Sequence, residues 1–218
     1  MGLCCSMYVE QMALIRKRHM ETRNEIKKAP IEMSEPNFDP DRLNLTEAHR
    51  QAMKACWVNV ISVERRDIFH KTMLFCIEAS PKLNEIIAMN RYCYRDLTRW
   101  PKLNEMCTKK YEFFEKLIVQ TDLSEDVVQK AVDCSGRMHA SYSKYGMKPH
   151  FLDIFQQQFI GLLFRLKEHE SYDRETMLQG YTLLLTYMIE RMNVTYAEAI
   201  QQMRTKEEKE PKEEQEQY

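Results

Sequence analysis

Apolar residues recur along this chain at intervals of three and four, the period of a helix with one buried face. After Thr46, a side chain suited to an N-cap, Met53, Cys56, Trp57 and Val60 make one face, and Phe69, Met73, Cys76 and Ile77 make the next. Ser80-Pro81 reads as a cap followed by a first-turn proline. Met106, Lys110, Phe113, Phe114 and Leu117 form a longer stripe with one polar interruption, and Val127, Val128, Ala131 and Met138 a shorter one. Beyond Pro149, Phe151, Ile154, Phe155, Phe159, Leu162, Leu163 and Leu166 are strongly periodic. The last stripe is Met177, Tyr181, Leu184, Leu185, Met188, Ile189 and Met192. No run alternates with the two-residue period of a strand, so the pattern predicts an all-α domain of at least six helices.

Proline marks the divisions. Pro30, Pro36 and Pro40 cluster in a polar stretch from Ala29 to Asn44 that reads as a linker, whereas Pro81, Pro101 and Pro149 fall singly between long proline-free windows. From Arg204 to Tyr218 four basic and six acidic residues occur without apolar periodicity, the composition of a disordered tail. The expected organisation is an N-terminal segment and linker over 1–44, a helical domain over 45–200 and a charged tail over 201–218.

Composition narrows the classes. The chain is 44% hydrophobic, enough for a core, and 32 basic against 33 acidic residues leave a formal charge of −1. A nucleic-acid binder normally shows a basic surplus, and none is expected as a partner here. Only five glycines occur, which disfavours Gly-rich phosphate loops. The longest apolar run, Leu183 to Ile189, is far short of the ~18 residues that signal a membrane span. Seven cysteines, with no CxxC spacing and no secretory signal ahead of them, fit a reducing compartment, and the internal ones read as small buried hydrophobes. No nucleophile–base constellation or metal pair suggests an enzyme.

The first residues carry a chemical instruction. Met1-Gly2-Leu3-Cys4-Cys5-Ser6 matches the N-myristoylation pattern, with Gly2 as the acylated residue and Cys4 and Cys5 beside it as palmitoylation sites. One myristoyl chain binds membranes only marginally, so a second signal is needed for stable anchoring. Residues 7–28 add six Lys/Arg against three Glu, a net of +3 that an anionic leaflet attracts. Tyr8, Met12 and Ile15 share a helical face on which this segment can lie along a membrane. The expected location is the cytoplasmic face of a membrane, the plasma membrane in particular.

The helical domain resembles a globin over about residues 43–195. Trp57 matches the family's helix-A tryptophan, and Pro81, 24 residues on, the proline that opens the short C helix. Gly136-Arg137-Met138-His139-Ala140 looks like the end of helix F, where a histidine binds iron. Tyr145-Gly146-Met147-Lys148-Pro149-His150-Phe151 resembles the following corner and the start of helix G. The resemblance implies a globin fold around haem b, with His139 as the proximal ligand, and neutral imidazole is a standard axial ligand to haem iron. It also implies haem contacts from Met73, Ile87, Phe113 and Met147, and places Lys109 on the distal side with Lys110 as the alternative and Tyr111 reachable by a small helix rotation. Three departures stand out. Ile87 replaces the family's phenylalanine against the haem, Ser135 replaces a leucine four residues before the histidine, and no His or Gln lies between Leu103 and Val119 to serve as the distal residue. Some members form a disulfide in the region of Cys93 and Cys107, and two unrelated thiols are the alternative here.

The resemblance therefore implies a membrane-tethered haem protein that binds oxygen or another small gas. Redox signalling with an electron-transfer partner, or gas sensing, suits a small membrane-bound pool better than bulk transport. The alternative is a haem-free adaptor of the same fold, anchored by its acyl chains.

Overall fold

In the computed structural model of the chain, residues 42–90 and 95–209 are described, with side chains to residue 206. Gly2, Cys4, Cys5, the basic segment, most of the linker and Cys93 lie outside these residues. The described residues are helical, with no strand among them.

Helix α1 (Glu47–Cys56) starts where expected. Thr46 Oγ1 accepts from the His49 amide, and His49 Nδ1 accepts from the Thr46 amide, each at 3.2 Å, which satisfies two otherwise orphaned donors. The helix continues through a π turn (Trp57–Ile61) and a last α-helical turn (Ser62–Glu64). Helix α2 (Ile68–Ala79) ends at Ser80, and α3 (Lys82–Ala88) begins just after Pro81, which is its N-cap rather than a first-turn residue. Helix α4 (Pro101–Glu115) opens on a proline whose missing N–H costs nothing at that position, and it too ends in a π turn (Lys116–Gln120). Helices α5 (Glu125–Ser141), α6 (His150–Phe164) and α7 (Arg174–Lys209) complete the domain.

The predicted stripes on α1, α2 and α7 are buried throughout, from Met53, Cys56, Trp57 and Val60 to the seven residues from Met177 to Met192. Helix α7 packs against α1, α5 and α6, while α2 lies between α4 and α6. At the α2 crossings Trp57, Phe69, Phe114 and Phe159 form a continuous aromatic cluster, with ring centroids 5.1 Å apart for Phe69–Phe114 and Phe69–Phe159. Such pairs add to the area they bury through offset and edge contacts.

Two stretches depart from expectation. Residues 201–209 are helical, as the end of α7, where charge density predicts disorder. Apart from Thr205 this segment is built from Gln, Met, Arg, Lys and Glu, all good helix formers, and it extends a helix already nucleated by packing, so each added residue needs little further support. Met138, read as part of an apolar face, is half exposed at 50%.

Candidate functional site

A cavity of about 570 Å³ is lined by side chains from α2, α3, α4, α5, α6 and α7. That size falls within the roughly 300–1,000 Å³ of small-molecule and cofactor sites. All six residues singled out as haem contacts line it: Met73 from α2, Ile87 from α3, Lys109 and Phe113 from α4, His139 from α5, and Met147 from the segment before α6. Met147 is held in place because its carbonyl accepts a 2.7 Å hydrogen bond from the Tyr196 hydroxyl of α7. The wall bearing His139 is fixed to α7 by Arg191, whose Nε and guanidinium nitrogen donate to the two carboxylate oxygens of Asp133 at 2.6 and 3.0 Å. This bidentate, half-buried pair raises the pKa of the guanidinium.

His139 stands in the last turn of α5 with Nδ1 2.7 Å from the carbonyl oxygen of Ser135. A carbonyl only accepts, so Nδ1 carries the proton and Nε2 keeps its lone pair. Burial lowers the imidazole pKa most, the positive charge of Lys110 lowers it further, and the Ser135 carbonyl opposes both; the result is about 4. The ring is thus neutral at physiological pH, the form in which histidine binds metals. The side chain of Ser135 takes no part in this arrangement, because the acceptor is backbone.

The two lysines of α4 part ways. Lys109 turns outward with its side chain 70% exposed, and its ammonium lies 2.6 Å from Glu105 one turn earlier. That partner raises the Lys109 pKa. Lys109 lines the cavity, as do Lys102 and Glu105, and both lysines are exposed. Lys110 points inward, with Nζ 5.0 Å above the ring centre of Phe155. Burial lowers the pKa of this ammonium, against smaller opposing effects from Cys107 and Cys76. The inward-facing lysine is therefore Lys110, not Lys109.

The six predicted residues were drawn from four helices and one loop, and the structure adds a second set to the same wall. Phe155, Tyr142, Met188 and Met192 line the cavity as well. Phe155 and the two methionines belong to predicted apolar stripes, but periodicity does not separate a side chain facing a cavity from one packed in the core. Cys107 is a free, buried thiol whose Sγ lies 3.7 Å from the Phe69 carbonyl, and burial pushes its pKa up to about 11. Among the described residues no group of three or more His, Cys, Asp or Glu side chains could hold a metal ion, and no helix is long and apolar enough to cross a membrane.

Comparison with models of protein families, with curated proteins and with solved structures returns no match to this chain.

Proposed function

We propose that this chain is a globin that binds haem b in the cavity through His139 and is held at the cytoplasmic face of a membrane by acyl chains on Gly2, Cys4 and Cys5. The observation that carries the reading is the neutral imidazole of His139, with Nε2 unprotonated, on the wall of an apolar cavity of about 570 Å³. One protein nitrogen is what an iron already held by a macrocycle needs. Met73, Ile87, Phe113 and Met147 supply apolar walls for the ring, and the exposed Lys102 and Lys109 suit its two propionates. The smaller Ile87, in place of a phenylalanine, leaves that wall apolar. The order of helices, and the packing of α1 and α5 on α7, α2 on α6 and α6 on α7, agree with a globin fold.

Haem supplies iron chemistry: reversible binding of a small gas and one-electron exchange. This chain's residues hold the ring, orient the imidazole through Ser135 and exclude water with an apolar lining. No His or Gln faces the cavity from α4, and the Lys109 ammonium is engaged by Glu105. Prolonged oxygen storage is thus poorly served, and redox signalling or gas sensing at the membrane is the function this lining favours.

The test is replacement of His139 by alanine in the haem-loaded protein. Haem affinity falls by about tenfold or more, equivalent to about 1.4 kcal/mol or more, and free imidazole restores the absorption spectrum. Unchanged stoichiometry and an unchanged Soret maximum in the variant would remove His139 from the site.

A further inference from the structure

Lys110 is the feature of the cavity that packing alone does not account for. A lysine on a helix ordinarily lays its methylenes along apolar surface and carries its ammonium out to water. Its neighbour Lys109 does this and meets Glu105. Lys110 instead keeps its ammonium over the face of Phe155, and among the described residues no carboxylate pairs with it. The ionisable groups near enough to act on it are the thiols of Cys76 and Cys107 and the imidazole of His139, and none offers a counter-ion. Burial pushes these thiols to about 12 and about 11, so both remain protonated. A ring face attracts a cation only weakly by comparison with what its desolvation costs. Burial therefore favours the neutral amine, whose nitrogen then carries a lone pair. His139 lies within electrostatic reach of the same group, since the Lys110 charge lowers the histidine pKa. One cavity thus holds two nitrogen bases, one on α4 and one on α5.

We propose that Lys110 is the second nitrogen donor to the iron of bound haem, so that the resting protein carries two side-chain ligands, His139 and Lys110. This rests on the haem reading above. A site closed on both sides by the protein admits a small gas only when Lys110 leaves, and it exchanges electrons without adding or losing an external ligand. Lys110 then decides whether the site behaves as a gas binder or as an electron carrier.

The experiment uses the full chain loaded with hemin and reads its spin state by electron paramagnetic resonance and absorption. Wild type is expected to be low-spin. Lys110→Leu, which fills the space without a donor atom, and Lys110→Arg, which keeps a cation without an available lone pair, are both expected to become high-spin. Lys71→Leu, on α2 where its ammonium pairs with Asp67 away from the cavity, keeps the wild-type signature, and Lys109→Leu tests the neighbouring lysine directly. Far-UV circular dichroism checks that each variant is folded, and the wild-type spin state remains decisive if one is not. A high-spin wild type, or a Lys110→Leu protein that stays low-spin, overturns the Lys110 assignment while leaving haem binding intact. Loss of the low-spin signature in Lys109→Leu with retention in Lys110→Leu overturns the Lys110 assignment and moves the role to Lys109. A wild type that takes up no hemin overturns the haem reading and this inference with it.

Discussion

The Ser135 carbonyl fixes the tautomer of His139, and the surrounding burial fixes its charge. Both have a consequence that can be measured without any cofactor. In the folded apoprotein the imidazole is held down to about 4, against 6.5 in an unfolded chain. As pH falls, the unfolded state takes up the proton first, so it gains stability relative to the folded one. This group contributes nothing to the pH dependence above about 6.5, destabilises progressively from 6.5 to 4, and stops adding below that. The full shift corresponds to a loss on the order of 3 kcal/mol at most. Urea unfolding of the apoprotein across this window should show it as a difference between wild type and His139→Ala, with the variant flatter. Parallel curves for the two would mean that the ring is not desolvated as described. At this scale the sequence was legible unevenly. Lys110 already sat in the apolar stripe of Met106, Phe113, Phe114 and Leu117, four residues after Met106, so helical period put it on the inner face. Family resemblance put Lys109 there instead, and only the Glu105–Lys109 pair and the position of Lys110 over Phe155 separate the two.

Between elements, α5 meets α7 closely at Gly136, about one turn before His139. A Cβ built there would lie 1.9 Å from Thr195 Oγ1 and 2.8 Å from the Met192 carbonyl oxygen. Helix propensity alone makes Gly→Ala favourable by about 1 kcal/mol in a helix interior. Steric overlap opposes it, typically by about 1–3 kcal/mol when a packed interior is overfilled. The overlap should win, because the Met192 oxygen is backbone and moves only if α7 moves. Gly136→Ala is therefore expected to lower stability by about 1–2 kcal/mol, measured as a lower urea midpoint, and Thr195→Ala should restore only part of it. A more stable Gly136→Ala would show that the two helices are not in contact there. The helices themselves were legible, because their stripes carry the burial that stabilises them. The end of α7 was not, since residues 201–209 have no apolar face and their helicity derives from the packed turns before them. The two π turns also leave no mark in apolar spacing.

The chain carries two features that it keeps apart in sequence, a leader that matches an acylation pattern and a cavity with a metal-competent histidine. Their separation predicts that each can be removed alone. Gly2→Ala takes away the residue proposed to be myristoylated, and the proposed palmitoylation of Cys4 and Cys5 should fall with it because the membrane encounter is lost. The variant is expected in the soluble fraction with its haem content unchanged. Retention in the membrane fraction would assign the anchoring to residues 7–28 or to a partner. The cavity was legible only through resemblance, since the residues that line it come from separate elements spread between Met73 and Met192, and no local spacing joins them. The most direct test of the account is a hemin titration of the purified wild-type protein. The account predicts a Soret band that grows to an end point at one haem per chain, and the absence of any saturable band at that stoichiometry would contradict it.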